Sequence, residues 1–469
     1  MPLSSELLAR FVSLVDASGA ITEPSDIHPY LVENRDKFHG LTRLVLRPKT
    51  VDEVSAILKL ASQSGTSVVP QGGNTGLVGG QIPDMTGGSI LLSLRRMNKI
   101  REIDAAGNTM TVEAGVILKT VQEAASEADR LFPLSLGSEG SAVIGGLLSS
   151  NAGGTAVLAY GNMRDLCLGL EVVLPDGQVM HTLKKLRKDN TGYALRDLFI
   201  GAEGTLGVIT AAVLKLFPRP AGRAVAFVGT QSPELALKLL SRAKRAGNLT
   251  GFELMARIGI EFAVRHTEGG RDPMDAPHSW YVLVENSSAQ SDEEANTRME
   301  AFLVDALGNG EADDAVIAQS SAQADAFWRL REEMSWAQKL EGGSIKHDIS
   351  VPIAAIPEFL HEADAAVSAL IPGVRFCTFG HLGDGNLHYN ISQPIGMDKQ
   401  AYLARWDEVN ALVHDIVGKH DGSFSAEHGV GQLKRGELQR FKDPVALSLM
   451  RKIKAAIDPA NIMNPGKVL

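Results

Sequence analysis

Apolar positions change their period repeatedly along this chain, and the changes mark its elements. In RLVLRPKTVDEVSAILKLASQSGTSVVPQGG (residues 43–73) a short apolar run is followed by Val54, Ile57, Leu58 and Ala61 at helical spacing, then by a second run. This predicts strand, Pro-marked turn, amphipathic helix and strand. The first residues, MPLSSELLARFVSLVDASG, read as an amphipathic helix. SILLSLRRM, TMTVEAGV and LGLEVVLPDGQVM read as further strands. The Pro-punctuated LKLFPRPAGRA near residue 220 reads as a domain boundary. Beyond it the pattern changes, and strands such as RAVAFVGT and WYVLVEN alternate with amphipathic helices such as PELALKLLSRAKRAG.

One predicted hairpin stands out. In FGHLGDGNLHYN (379–390) two β-type runs flank Asp384-Gly385, a strong two-residue turn signal because that turn needs φ > 0. Centring the turn there sets Gly383 opposite Asn386, Leu382 opposite Leu387 and His381 opposite His388. Opposed Cβ atoms lie roughly 4.5–5.5 Å apart on one face, so two imidazoles can share a metal ion, and Asn390 projects from the same face. Taken alone, the pair reads as two hydrogen-bonded structural histidines.

Composition narrows the class. A chain of 469 residues is too long for one core. Its 46 basic and 55 acidic residues give a net charge of −9 with no long basic run, which argues against a nucleic-acid partner. The two cysteines, Cys167 and Cys377, lie far apart. They exclude a disulfide framework, a Cys-rich zinc site and a CxxCH haem site, and fit a cytoplasmic location. No signal-peptide pattern and no membrane-spanning apolar run is read.

The 47 glycines are clustered. Gly72-Gly73-Asn74-Thr75-Gly76 follows a strand, where backbone N–H groups can turn inward to cradle a pyrophosphate. With LGSEGSAVIGGLLSSNAGG (136–154) and LFIGAEGTLGVIT (198–210) it makes three clusters before residue 220. Three such clusters fit one long ligand with phosphates and flat rings better than three independent turns. Neither GxGxxG opening a helix nor GxxxxGK[ST] is present, so this is no ordinary Rossmann site or P-loop.

PQGGNTGLVGG, GSEGSAVIGGLLSSNAGG, LRKDNTGY, LFIGAEGTLGVIT, FGHLGDGNLHYN, SAEHGVG and NPGK together resemble the FAD-linked D-2-hydroxyacid dehydrogenases of the vanillyl-alcohol oxidase / p-cresol methylhydroxylase superfamily. The motifs resemble most the D-2-hydroxyglutarate dehydrogenases in that family. The resemblance implies a two-domain α+β fold, with an FAD domain over residues 1–218 and a C-terminal segment from about 445 to 469 returning to it. It implies a substrate- and metal-binding domain over 219–444 with an antiparallel sheet and flanking helices. FAD would contact Gly72, Gly73, Asn74, Thr75, Gly76, Gly79, Gly137, Ser141, Gly145, Gly146, Asn151, Gly154, Glu203, Gly204, Ile209 and Asn464. Many relatives tether FAD to a histidine in or near the first loop; here that loop carries Asn74, which implies non-covalent FAD.

The same resemblance answers the hairpin. His381 and His388 match metal ligands and Glu427 in SAEHG the third. Two histidines and one carboxylate with an open position suit a catalytic zinc ion, although Mn²⁺, Co²⁺ or Fe²⁺ take the same ligands. His428 matches the catalytic base and contacts substrate. Arg331, Ser335, Lys346 and Asn390 match substrate-binding positions. Arg331 and Ser335 stand four apart, on one face of a helix; without the resemblance Arg331 would read as a surface partner of Glu332 or Glu333.

Metal plus Asn390 would hold the 2-hydroxycarboxylate end, leaving Arg331 and Lys346 for a second carboxylate. The expected reaction is therefore oxidation of D-2-hydroxyglutarate to 2-oxoglutarate by hydride transfer to flavin. D-lactate, D-malate and glycolate are the alternative substrates, and a flavin-free subunit of an oxidase complex is the alternative of another class. Expected partners are the small 2-hydroxyacid and an external electron acceptor, an electron-transfer flavoprotein or a quinone, with a homodimer as the candidate assembly.

Overall fold

Thr50 starts the first long helix, Val51–Ser64, by accepting the Glu53 N–H on its side chain, and Gly65 ends it in the left-handed region at φ 64°. Its apolar stripe, Val54, Ile57, Leu58 and Ala61, is fully buried. It connects Val45–Leu46 to Ser67–Gln71, which both pair in parallel with Ser89–Ser93. The computed structural model that shows this describes residues 3–469, and the chain divides into two compact units.

The first unit comprises residues 3–154 with Tyr160–Arg219 and Glu427–Leu469. Beside the small parallel sheet it holds a five-stranded antiparallel sheet in the order Ile100–Asp104, Thr109–Glu113, Val208–Lys215, Cys167–Val173, Val179–Thr182. The C-terminal segment returns as a ribbon on Val68, whose N–H donates to Ile462 O and whose carbonyl accepts from Asn464 N–H. The return begins at Glu427, earlier than the sequence boundary near 445. There the Glu203 carboxylate accepts the N–H groups of Val430 and Gly431 at 2.7 and 2.8 Å.

The second unit, Thr155–Ala159 with Pro220–Ala426, is built on a seven-stranded antiparallel sheet. Its order is Asp314–Ile317, Gly222–Thr230, Trp280–Ser288, Leu249–Ala256, Arg375–His381, Asn386–Ser392, Ser344–Ser350. Period-2 alternation splits the last strands between two faces. Leu254, Ile345, Ile349, Leu387, Tyr389 and Ile391 point into one large core with the helices Pro233–Ala246, Ile356–Leu370 and Trp406–Lys419. Met255, Cys377 and Phe379 point the other way, toward Arg257–His266 and Ser321–Leu340. The polar residues described next share that second face.

No helix among the described residues is long and apolar enough to cross a membrane. Both cysteines are free and buried, and burial pushes each thiol up to about 12, so neither is a reactive thiolate.

Candidate active site

In the first unit two glycine-rich stretches close on each other. A Cβ on Gly73 would stand 2.1 Å from Ser141 O, and one on Gly72 would stand 2.6 Å from a Val143 methyl. Only glycine permits that approach. The result is an open cleft. Gly72, Gly73, Asn74, Thr75, Gly76, Gly145, Gly146, Glu203, Gly204 and Ile209 line it, and so does His428. Asn74 and Glu203 both adopt left-handed backbone, at φ 58° and 51°. Burial pushes the Glu203 carboxyl above the ordinary range, opposed by the two N–H groups it accepts. The backbone-lined, largely uncharged wall fits a dinucleotide.

Six other positions expected to contact FAD lie outside this cleft, and for several the structure gives another reason. Asn464 is buried behind it and donates to Gly80 O and Glu203 O, bracing two lining loops. Asn151 ends the helix Ile144–Ser150 in left-handed backbone and accepts the Arg164 N–H. Gly79 packs on the Phe38 ring at φ 71°, and Gly154 packs on the Ser135 carbonyl. Ser141 supports Gly73 from its backbone. Nothing in the structure explains Gly137. Glycine-rich sequence marks tight backbone packing as readily as ligand contact.

In the second unit the hairpin forms, with a register different from the expected one. Phe379, not His381, stands opposite His388, and Cys377 stands opposite Asn390. The turn is wider than two residues. Gly385 alone is left-handed, at φ 91°, and its N–H reaches back to His381 O, while Asp384 accepts the Asn386 N–H. Gly380 sits so close to Leu387 that a Cβ would lie 2.8 Å from its Cα. Because the register moves by two residues, every side chain keeps its face. The His381 and His388 rings therefore still meet, with centroids 5.7 Å apart.

Glu427 directly follows Ala426, whose N–H donates to Asp348 O on the strand beside His388. Ligand atoms of His381, His388 and Glu427 lie within 4.8 Å of one another. Two imidazoles and a carboxylate are a donor set for a zinc-type ion. His381 Nδ1 lies 2.6 Å from Glu253 Oε1, so a metal would be held by the ring's other nitrogen, Nε2.

Glu253 was invisible as a site residue in the sequence. It lies on Leu249–Ala256, opposite His381, and is fully buried. Its other oxygen accepts Arg331 Nε at 2.7 Å. Burial pushes this carboxyl up, but His381 and Arg331 outweigh it and hold it at about 2. Arg331 is thus a buried residue of Ser321–Leu340 and not a surface partner of its glutamate neighbours; its guanidinium also lies 4.6 Å from the centroid of the Phe379 ring. The pair corrects the charge count made from sequence, since Glu253 offsets one of the two cations reserved for a substrate carboxylate. Only Nε is spent on Glu253. The one advance signal was a lone acid in the apolar strand LTGFELMA.

Lys346 stands opposite Asn390, and Asp348 opposite His388, so all four share the site face. Lys346 Nζ donates to Ser335 O and Oγ at 2.8 and 3.0 Å, which ties the strand Ser344–Ser350 to the helix carrying Arg331. Ser335 is exposed and Asn390 buried.

Residues 219–468 match the model for the C-terminal domain of FAD linked oxidases, and residues 42–183 match an FAD binding domain. A probable mitochondrial D-2-hydroxyglutarate dehydrogenase of Oryza sativa subsp. indica is 38% identical over 471 residues, covering 100% of this chain and 82% of that one. A D-2-hydroxyglutarate dehydrogenase of Xanthomonas citri pv. viticola is 35% identical over 98% of this chain and 96% of its own. The chain belongs to the FAD-linked D-2-hydroxyacid dehydrogenases. It is an FAD-dependent enzyme, and the expected two-domain α+β class is the observed one. The crystal structure of p-cresol methylhydroxylase with substrate bound has the same fold, with a TM-score of 0.76 at 16% identity over 99% of this chain and 96% of that one.

Proposed function

We propose that this dehydrogenase oxidises D-2-hydroxyglutarate to 2-oxoglutarate and needs a divalent metal, zinc by preference, beside its FAD. The observation that carries the reading is the cluster of His381, His388 and Glu427, with Arg331, Lys346 and Asn390 arrayed on or against the same sheet face. The names of the full-length relatives support the substrate.

FAD, when bound, supplies the hydride acceptor. The metal, when bound, supplies a Lewis acid that lowers the pKa of a hydroxyl. His428, on the wall of the flavin cleft, takes the hydroxyl proton. Asn390 holds the 2-hydroxycarboxylate end. Arg331 grips the distal carboxylate through its Nη edge, with Lys346 adding charge and Ser335 a hydrogen bond. Electrons then pass to an external acceptor, an electron-transfer flavoprotein or a quinone.

A screen of 2-hydroxyacid enantiomers with an artificial dye acceptor tests the assignment. D-2-hydroxyglutarate is expected first, D-malate intermediate and D-lactate poor. Arg331→Ala is expected to lower kcat/KM for D-2-hydroxyglutarate by about 10²-fold, the worth of one or two charge-assisted hydrogen bonds, and to cost D-lactate far less. Equal losses would place Arg331 on the carboxylate that both substrates share. A preference for D-lactate would replace the substrate assignment.

The FAD is proposed to be held without a covalent bond. Asn74 stands in the first loop where a tether would be, with its amide donating to Val32 O. Acid precipitation is expected to leave the flavin in the supernatant; yellow colour in the pellet would contradict this.

A further inference from the structure

One buried carboxylate joins two parts of the site that the chemistry keeps separate. His381 belongs to the metal cluster and Arg331 to the grip on the distal carboxylate. Glu253 reaches both, His381 Nδ1 through Oε1 at 2.6 Å and Arg331 Nε through Oε2 at 2.7 Å. Its side chain is fully buried, and those of His381 and Arg331 are each only 8% exposed, so all three are held in one arrangement. The neighbours reinforce it. Phe379 lies under the Arg331 guanidinium and against the His388 ring, with centroid distances of 4.6 and 5.1 Å. Glu253 is also paired by the sheet itself, opposite His381 on the adjacent strand, so its placement does not depend on a loop.

We propose that Glu253 is a positioning residue that locks His381 and Arg331 to one another, so that the span between metal and guanidinium is fixed and the length of a dicarboxylate is read against it. This rests on the reading of His381 as a metal ligand and Arg331 as the distal grip. Two properties that look independent, metal retention and the choice between substrates one methylene apart, then answer to the same side chain. An amide cannot do this work. Glutamine puts an NH2 donor where one of the two carboxylate oxygens stands, so that side would face the N–H of His381 or of Arg331 instead of accepting it.

The test uses full-length FAD-loaded protein stripped of metal and titrated with Zn²⁺ alone against a chromogenic chelator. Glu253→Gln is expected to weaken zinc binding by about 10- to 100-fold, the usual effect of losing the partner of a ligating histidine. The ratio of kcat/KM for D-2-hydroxyglutarate over D-malate is expected to fall about tenfold, since one methylene is all that separates them. Flavin content and absorbance spectrum should not change. If Glu253→Gln does not fold, Glu253→Asp is read in the same two assays. It keeps the charge but withdraws both oxygens by one methylene, and the same two losses are expected. A variant that melts at lower temperature yet keeps wild-type zinc affinity and substrate ratio overturns the proposal and leaves Glu253 as a structural counter-ion. Wild-type protein that takes up no zinc fails at the metal reading itself, and the proposal goes with it.

Discussion

Replacing His381 or His388 with alanine is expected to cut the rate of flavin reduction by substrate by about 10³-fold or more while FAD stays bound. A Lewis acid at a developing alkoxide contributes several kcal/mol to the transition state, and each 1.36 kcal/mol is a factor of ten. The flavin is expected to stay because the cleft of residues 72–76, 145–146 and 203–209 belongs to the first unit and both histidines belong to the second. Chelation of the wild-type protein should reproduce the loss, and Zn²⁺ should restore it in wild type but not in the variants. Metal-free protein that still reduces its flavin at the normal rate would make the hairpin structural.

His428→Ala is expected to lose on the order of 10²–10⁴ in flavin reduction, the range of a general base. His428 sits beside Glu427 in sequence but lines the flavin cleft, so its removal leaves all three candidate ligands in place. Metal content measured alongside separates the two roles. A His428→Ala protein that loses its metal would make His428 a ligand, and one with an unchanged rate would remove it from the proton transfer.

Local signals carried much of the fold. Thr50, the Val54, Ile57, Leu58 and Ala61 stripe and Gly65 state a helix within one stretch of chain, and the structure has it. The face shared by His381, His388 and Asn390 was legible because strand side chains alternate with period two, which survives a register change of two residues. The register itself was not legible. It depends on the Gly380 contact with Leu387 and on Asp384 bonding Asn386, and Asp384-Gly385 alone did not encode them. Glu253 was hidden for a stronger reason. It lies 128 residues from His381 and 78 from Arg331, on a strand buried along its whole length, so no alternation marks it. Asn464 and Gly154 show the converse: their motifs were visible, but their side chain or lack of one serves packing between loops.

The most direct measurement is anaerobic mixing of the metal-replete protein with D-2-hydroxyglutarate, followed at the flavin absorbance without any acceptor. The account predicts rapid and complete bleaching, with D-lactate slow, the L-enantiomer inert, and metal-stripped protein staying yellow. Bleaching by D-lactate in preference, or equal bleaching with and without metal, would contradict it.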